Sequence, residues 1–172
     1  MRNASKQGLD APRPEASGLA PTIDASFDPQ SAGDLVNEYL RIVMIPDPEG
    51  AQHLIAPRMR IRFTGGRAMH KPSDCTVFNA GRYAWVKKRI ARTDVVAGGT
   101  PAETIVYSLG TLHGEWPDGT PFEGNRYVDR YVVSHGLITH MDVWNDSAEW
   151  ILTPGLAAEA NAANATDTVH TS

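Results

Sequence analysis

The chain of 172 residues has a single cysteine, Cys75, which excludes an internal disulfide framework and a cysteine-based zinc site. No stretch approaches the roughly 18 consecutive apolar residues of a membrane span. The first 26 residues lack the apolar segment of a secretory signal, so the cytoplasm is the expected compartment. Basic charge is not in excess: 16 Lys and Arg stand against 20 Asp and Glu, a formal net charge of −4. That balance argues against a nucleic-acid partner, which needs a basic face for phosphate contacts. No histidine pair has a metal-ligand spacing, and His140-x-Asp142 lacks a third ligand. Gly65-Gly66 and Gly98-Gly99 read as turns rather than nucleotide-binding loops, and no nucleophile-elbow string is present. The expectation is no metal, no cofactor and no membrane partner, with chemistry left to ordinary acids, bases and hydroxyls.

What is present is one domain's worth of globular sequence, 41% hydrophobic and 21% charged. Residues 1–26 and 154–172 read as disordered tails, rich in Pro, Gly, Ala and small polar residues. The body, 27–153, opens with a helix carrying Leu35, Tyr39, Ile42 and Val43 at helical spacing. Ser31 or Asp34 caps it, and Pro46 and Pro48 stop it. Gln52–Ala56 forms a short helix before Pro57, and 59–64 alternates as a strand, followed by a weaker strand near Met69. A further helix is expected over Phe78–Arg89, with Tyr83, Val86 and Ile90 on one face and Lys87-Lys88-Arg89 solvated. Strands follow around 90–97, 103–116, 122–133 and 137–146, the middle two joined by the hairpin signal Asp118-Gly119. Helices first and a long antiparallel meander after them make an α+β domain.

That order, with Pro117-Asp118-Gly119, Asn125-Arg126-Tyr127-Val128-Asp129-Arg130-Tyr131, Gly136-Leu137-Ile138 and Trp144, resembles the nuclear transport factor 2-like superfamily. The local strings are most similar to the phenazine-biosynthesis A/B proteins, and the superfamily includes SnoaL-like polyketide cyclases and ketosteroid isomerases. The resemblance implies a cone: a curved antiparallel sheet wrapped around a long N-terminal helix, additional short helices, an apolar pocket at one end, and commonly a homodimer. Ketosteroid isomerases carry an oxyanion-binding tyrosine on the first helix, matched by Tyr39, and a protonated aspartic acid, matched by Asp129. Their carboxylate base on the first strand is missing, because Phe63 stands there. Steroid-type proton shuttling is therefore not expected.

Strand alternation selects the side chains of a cone interior. If Asp129 points inward, so do Asn125, Tyr127 and Tyr131. The family's inward parity adds Met141, Val143 and Asn145 from the last strand, and Met59, Ile61 and Phe63 from the first. Asp129, Tyr39 and His113 are the candidate catalytic groups. Phe63, Asn125, Tyr127, Met141, Val143, Asn145, His70 and Tyr83 are the candidate substrate contacts. Desolvation would raise the pKa of an inward Asp129 and make it a donor or a strong base; the alternative is a surface salt bridge to Arg126 or Arg130. Tyr39 polarises a substrate oxygen or is simply a core aromatic. His113 acts as an acid/base at the mouth or is a solvated strand-end residue, and His70 lines the rim.

The superfamily's enzymes imply a cofactor-free lyase for a small hydrophobic or aromatic substrate, such as a lignin-derived diaryl compound cleaved with release of formaldehyde. A cyclase or isomerase, and a non-catalytic binding or dimerisation module, are the alternatives.

Overall fold

The computed structural model describes residues 29–45, 47–152 and 159. The expected tails, Glu159 apart, and the stop at Pro46 lie outside the described residues. Helix α1 spans Pro29–Val43, so Ser31 and Asp34 lie within it and neither is its cap. Its buried stripe is Ala32, Val36, Tyr39, Leu40 and Ile42, which pack with Val106, Tyr131, Val133, Ile138 and Met141. Each of the larger aliphatic side chains among them contributes about 1.5–3 kcal/mol on leaving water. Arg41 lies in the last turn, where a cation favours the helix dipole, and pairs with Glu38 at 2.6 Å.

A 3-10 turn at Gln52–Leu54 replaces the expected short helix and leads into strand β1, Ile55–Phe63. Pro57 sits inside β1, not ahead of it. It is tolerated because the pairing there is irregular between Ile55 and Arg60. Strand β2 is Arg67–Met69, helix α2 Pro72–Ala80, and strand β3 Trp85–Ala97. The helix expected over 78–89 is therefore corrected. Tyr83, Val86 and Ile90 satisfy a helical period, but 85–97 pairs residue by residue with strand β4, Glu103–Glu115. Strand β5, Pro121–Ser134, strand β6, Leu137–Asn145, and the short helix α3, Ser147–Leu152, complete the order.

The six strands lie in the order β2-β1-β6-β5-β4-β3 and curve over α1 without closing. β1 runs parallel to β6, so the sheet is mixed and not antiparallel throughout. The β5–β6 hairpin has a two-residue loop, His135-Gly136, with φ of 51° and 73°; both residues are left-handed, as a type I′ turn requires. No helix among the described residues is long and apolar enough to cross a membrane.

Two of the sheet's bulges, in β3 and β5, change which side chains face inward. Between Ile90 and Arg92 the β3–β4 register slips by one residue. Inward residues therefore change from Val86 and Lys88 to Thr93, which donates to Asn37 of α1, and Val95, which packs on the core. Gly124, at φ 92°, is the extra residue between the pairs Leu112–Asn125 and His113–Glu123. β4 runs tightly under the first bulge. A Cβ at Gly110 would collide with the Arg89 carbonyl oxygen and lie 3.0 Å from the Ala91 nitrogen. Gly110→Ala should push β3 away and cost about 1–3 kcal/mol. A denaturant melt checks this as a lower midpoint at unchanged slope.

Candidate functional site

A cavity of about 130 Å³ lies between α1, α2 and the concave face of the sheet. Tyr39, Leu40 and Val43 line it from α1, and Pro72, Cys75, Thr76 and Asn79 from α2. Phe63, Lys88, Leu112, Tyr127, Asp129, Tyr131, Met141, Val143 and Asn145 line it from the sheet. The wall is largely apolar and aromatic, and its polar groups converge on one carboxylate.

The Asp129 side chain is 1% exposed. Its Oδ2 accepts from the Lys88 ammonium and, at 2.9 Å, from the Tyr131 hydroxyl. Its Oδ1 is buried and has no hydrogen-bond partner among the described residues. Lys88 reaches inward from β3 with its ammonium 4.2 Å from the centre of the Tyr127 ring, a cation–π contact that helps offset its lost hydration. Asp129 is therefore half of a buried ion pair with Lys88 and does not stand isolated in the apolar wall. The surface partners considered for it are engaged elsewhere: Arg126 binds Asp146 at 2.6 Å and Arg130 binds Asp142 at 3.3 Å.

Three tyrosines surround this pair. Tyr39 meets Tyr131 edge-on at 6.0 Å, and its hydroxyl has no hydrogen-bond partner among the described residues. Burial pushes its pKa well above the usual phenol range, with Cys75 and Asp129 adding to the effect. Tyr131 is raised likewise, by burial first and then by Asp129. Tyr127 is raised to about 12 by burial, against the lowering effect of its 3.0 Å bond to Ser108. All three are thus protonated donors at neutral pH. The site combines a carboxylate oxygen free to take a proton with an ammonium and phenols able to give one or to steady an oxyanion.

Burial also raises the Cys75 thiol to about 12, with Asp74 adding to the effect. In the native protein this thiol should react with iodoacetamide at pH 8 about a thousandfold more slowly than in the unfolded chain, because the thiolate is the nucleophile. The linkage has a definite sign. The folded value lies above the unfolded one, so the contribution to stability is complete below about pH 9 and is lost as pH rises towards 12. Alkylation timed with and without denaturant checks the rate.

Other candidates stand elsewhere. His113 lies on the opposite face of β4, because its neighbour Leu112 takes the inward position. It packs edge-on against Trp85 at 5.9 Å, and burial, Arg89 and Lys87 lower its pKa. His70 is exposed beyond β2 and lines a separate outer cleft. Asn125 is buried but does not line the cavity; its amide donates to Ser147 at 2.9 Å. Tyr83 does line the cavity, from the loop before β3 and not from a helix, and its hydroxyl also bonds Ser147. Phe122 and Trp116 stack beside it. Lys88 was not among the expected site residues, although Val86-x-Lys88 is the spacing that puts both on one face of a strand. Among the described residues no three His, Cys, Asp or Glu side chains cluster as a metal site.

No family model matches the chain, and no curated protein matches it. Solved structures do. An NTF2-like protein of unknown function from Burkholderia pseudomallei superposes with a TM-score of 0.56 at 18% identity, covering 70% of this chain and 95% of that one. A putative polyketide cyclase from Xanthomonas campestris gives 0.54 at 16%, covering 72% and 96%. The CaMKII hub of S. rosetta gives 0.55 at 18%, covering 67% and 95%. The fold is the NTF2-like fold.

Proposed function

We propose that the cavity is the active centre of a cofactor-independent lyase for a hydrophobic aromatic substrate. In this reading Asp129 is the base, and Lys88 and Tyr39 are the donors to substrate oxygen. The observation that carries it is the buried Lys88–Asp129–Tyr131 cluster, with one carboxylate oxygen unpartnered, in an otherwise apolar cavity. Most buried carboxylate oxygens are satisfied, so an unpartnered one on a cavity wall supports a chemical role. At about 130 Å³ the cavity is close to the engineered space of about 150 Å³ that takes up benzene. One aromatic ring of such a substrate fits inside.

For a lignin-derived diaryl propanediol the steps balance without oxidant. Asp129 Oδ1 takes the proton of the primary hydroxyl, and that oxygen becomes the carbonyl of formaldehyde as its carbon–carbon bond breaks. The released electron pair forms the new carbon–carbon double bond, and the benzylic oxygen leaves as water with a proton from Lys88 or Tyr39. Asp129 then returns its proton to the depleted donor. The test is incubation with such a diol, reading conjugated-alkene absorbance and formaldehyde together. Both should rise in equal amounts, and neither rising with any diaryl diol overturns the reading.

The putative polyketide cyclase among the structural neighbours supports a second reading equally, in which the same base removes a carbon-bound proton for ring closure or isomerisation. Product without formaldehyde would favour it. The hub among the neighbours supports a third, a binding or assembly module, which ligand binding without turnover would favour. The homodimer is likewise a proposal, checked by sedimentation.

A further inference from the structure

A second cleft, of about 310 Å³, opens on the opposite, outer face of the sheet, between β2, β1 and β6. Arg60, Arg62, His70, His140 and Asp142 surround it, with Ala68 as its floor. Arg60 and Arg62 are two residues apart on β1, so their side chains leave one face about 6.6 Å apart. His140 stands directly across from Arg60, and Asp142 across from Arg62. On the other flank Arg62 faces Ala68, whose small side chain leaves the space open.

The hydrogen bonds leave this cleft positive. Arg60 Nε donates to His140 Nε2 at 3.0 Å, so that nitrogen accepts and the ring proton is on Nδ1. Nδ1 donates to Thr139 Oγ1 at 3.0 Å, and Thr139 in turn donates to the Val132 carbonyl at 3.1 Å. This chain fixes the imidazole as a neutral acceptor that orients the Arg60 fork. Burial and Arg60 lower the His140 pKa in the same sense. The acid that lines it, Asp142, is bonded to Arg130, and a second, Glu103, acts on His140 from β4. The terminal nitrogens of Arg60 and the whole guanidinium of Arg62 have no hydrogen-bond or salt-bridge partner among the described residues. Both arginines are exposed on this face, and an oxyanion between their forks would offset the repulsion of the two like charges.

We propose that this outer cleft is a binding site for a small oxyanion, a phosphate or carboxylate group held by the forks of Arg60 and Arg62 over Ala68. It is separate from the cavity on the concave face and does not rest on the lyase reading.

The test is calorimetry on the full chain at constant ionic strength set with sodium chloride, with inorganic phosphate in one arm and succinate in the other. Saturable one-to-one binding is expected in at least one arm, and the stronger arm identifies the phosphoryl or carboxylate source. Arg62→Gln should weaken binding by about tenfold or more, as loss of a bidentate contact does. Ala68→Leu adds no charge and should weaken it as much by filling the floor. Arg60→Gln serves as the second charge variant should Ala68→Leu lower the melting temperature. No saturable heat up to about 20 mM in either arm, well beyond millimolar affinity, overturns the proposal. So does wild-type affinity in Arg62→Gln, and so does unchanged binding in a folded Ala68→Leu, which would mean diffuse charge alone. Binding that vanishes as protein concentration rises would mean that a second copy covers the face, and also overturns it.

Discussion

An Asp129→Asn variant should lose about 10²–10⁴-fold in kcat, the usual worth of a positioned general base. Asn keeps the shape of the side chain and still accepts from Tyr131, but it has no oxygen able to take a proton, and it leaves the Lys88 charge unpaired at a cost in stability of its own. Affinity for a non-reacting aromatic ligand should stay within a few-fold, because the apolar wall of Phe63, Leu112, Met141 and Val143 is untouched. Tyr39→Phe should lose less, about 10–100-fold, since Lys88 still offers a donor to the same oxygen. His113→Ala should leave kcat within about twofold, because that ring lies on the far face of β4 and reaches nothing in the cavity. Steady-state kinetics beside a ligand titration separates these outcomes. Unchanged turnover in Asp129→Asn would remove Asp129 from the chemistry, and a loss in His113→Ala would place the reaction elsewhere.

The largest effect on stability should come from Lys88→Met. The methionine fills nearly the same volume but leaves the Asp129 carboxylate buried with Tyr131 as its only donor among the described residues. Breaking one side of a buried ion pair costs about 3–5 kcal/mol. For a domain of this size that corresponds to a fall in Tm of roughly 10–20 °C. Making the second site apolar as well, as Lys88→Met with Asp129→Leu, should recover most of the loss, since a well-packed apolar pair is often as stable as the ion pair it replaces. Thermal melts of the four corners of this cycle measure the coupling. If the double variant is more stable than the parent yet inactive, the pair is retained for chemistry at a cost in stability. If Lys88→Met melts with the parent, the pair does not hold the cone together.

The half of the sheet that was legible in the sequence is the half built by local signals. Asp118-Gly119 and His135-Gly136 join consecutive strands, and the alternation Asn125, Tyr127, Asp129, Tyr131 holds along the stretch of β5 that follows the Gly124 bulge. The parallel partnership of β1 with β6 was not legible, because it joins residues about eighty positions apart and no turn announces it. The helix read into 78–89 failed for another reason. Tyr83, Val86 and Ile90 fit a period of 3.6, and a basic triplet beside them looks like a solvated helix face. The inward position on β3 is occupied by a lysine, so the binary pattern that marks a strand is broken at the residue that completes the site. His113 failed through register, since its assignment to the mouth considered position along β4 but not which face Leu112 takes.

The one-residue slip at Ala91 divides β3 into two halves answering to different demands. Beyond it, Thr93 and Val95 answer to the helix and the core; before it, Val86 and Lys88 answer to the cavity. A substitution in one half does not change the facing of the other, so the strand can explore new cavity chemistry without renegotiating its grip on α1. Engineering for a different substrate therefore has a natural address at 86–88. Shortening the strand by one residue at 91 would tie the two halves into a single register and end that independence.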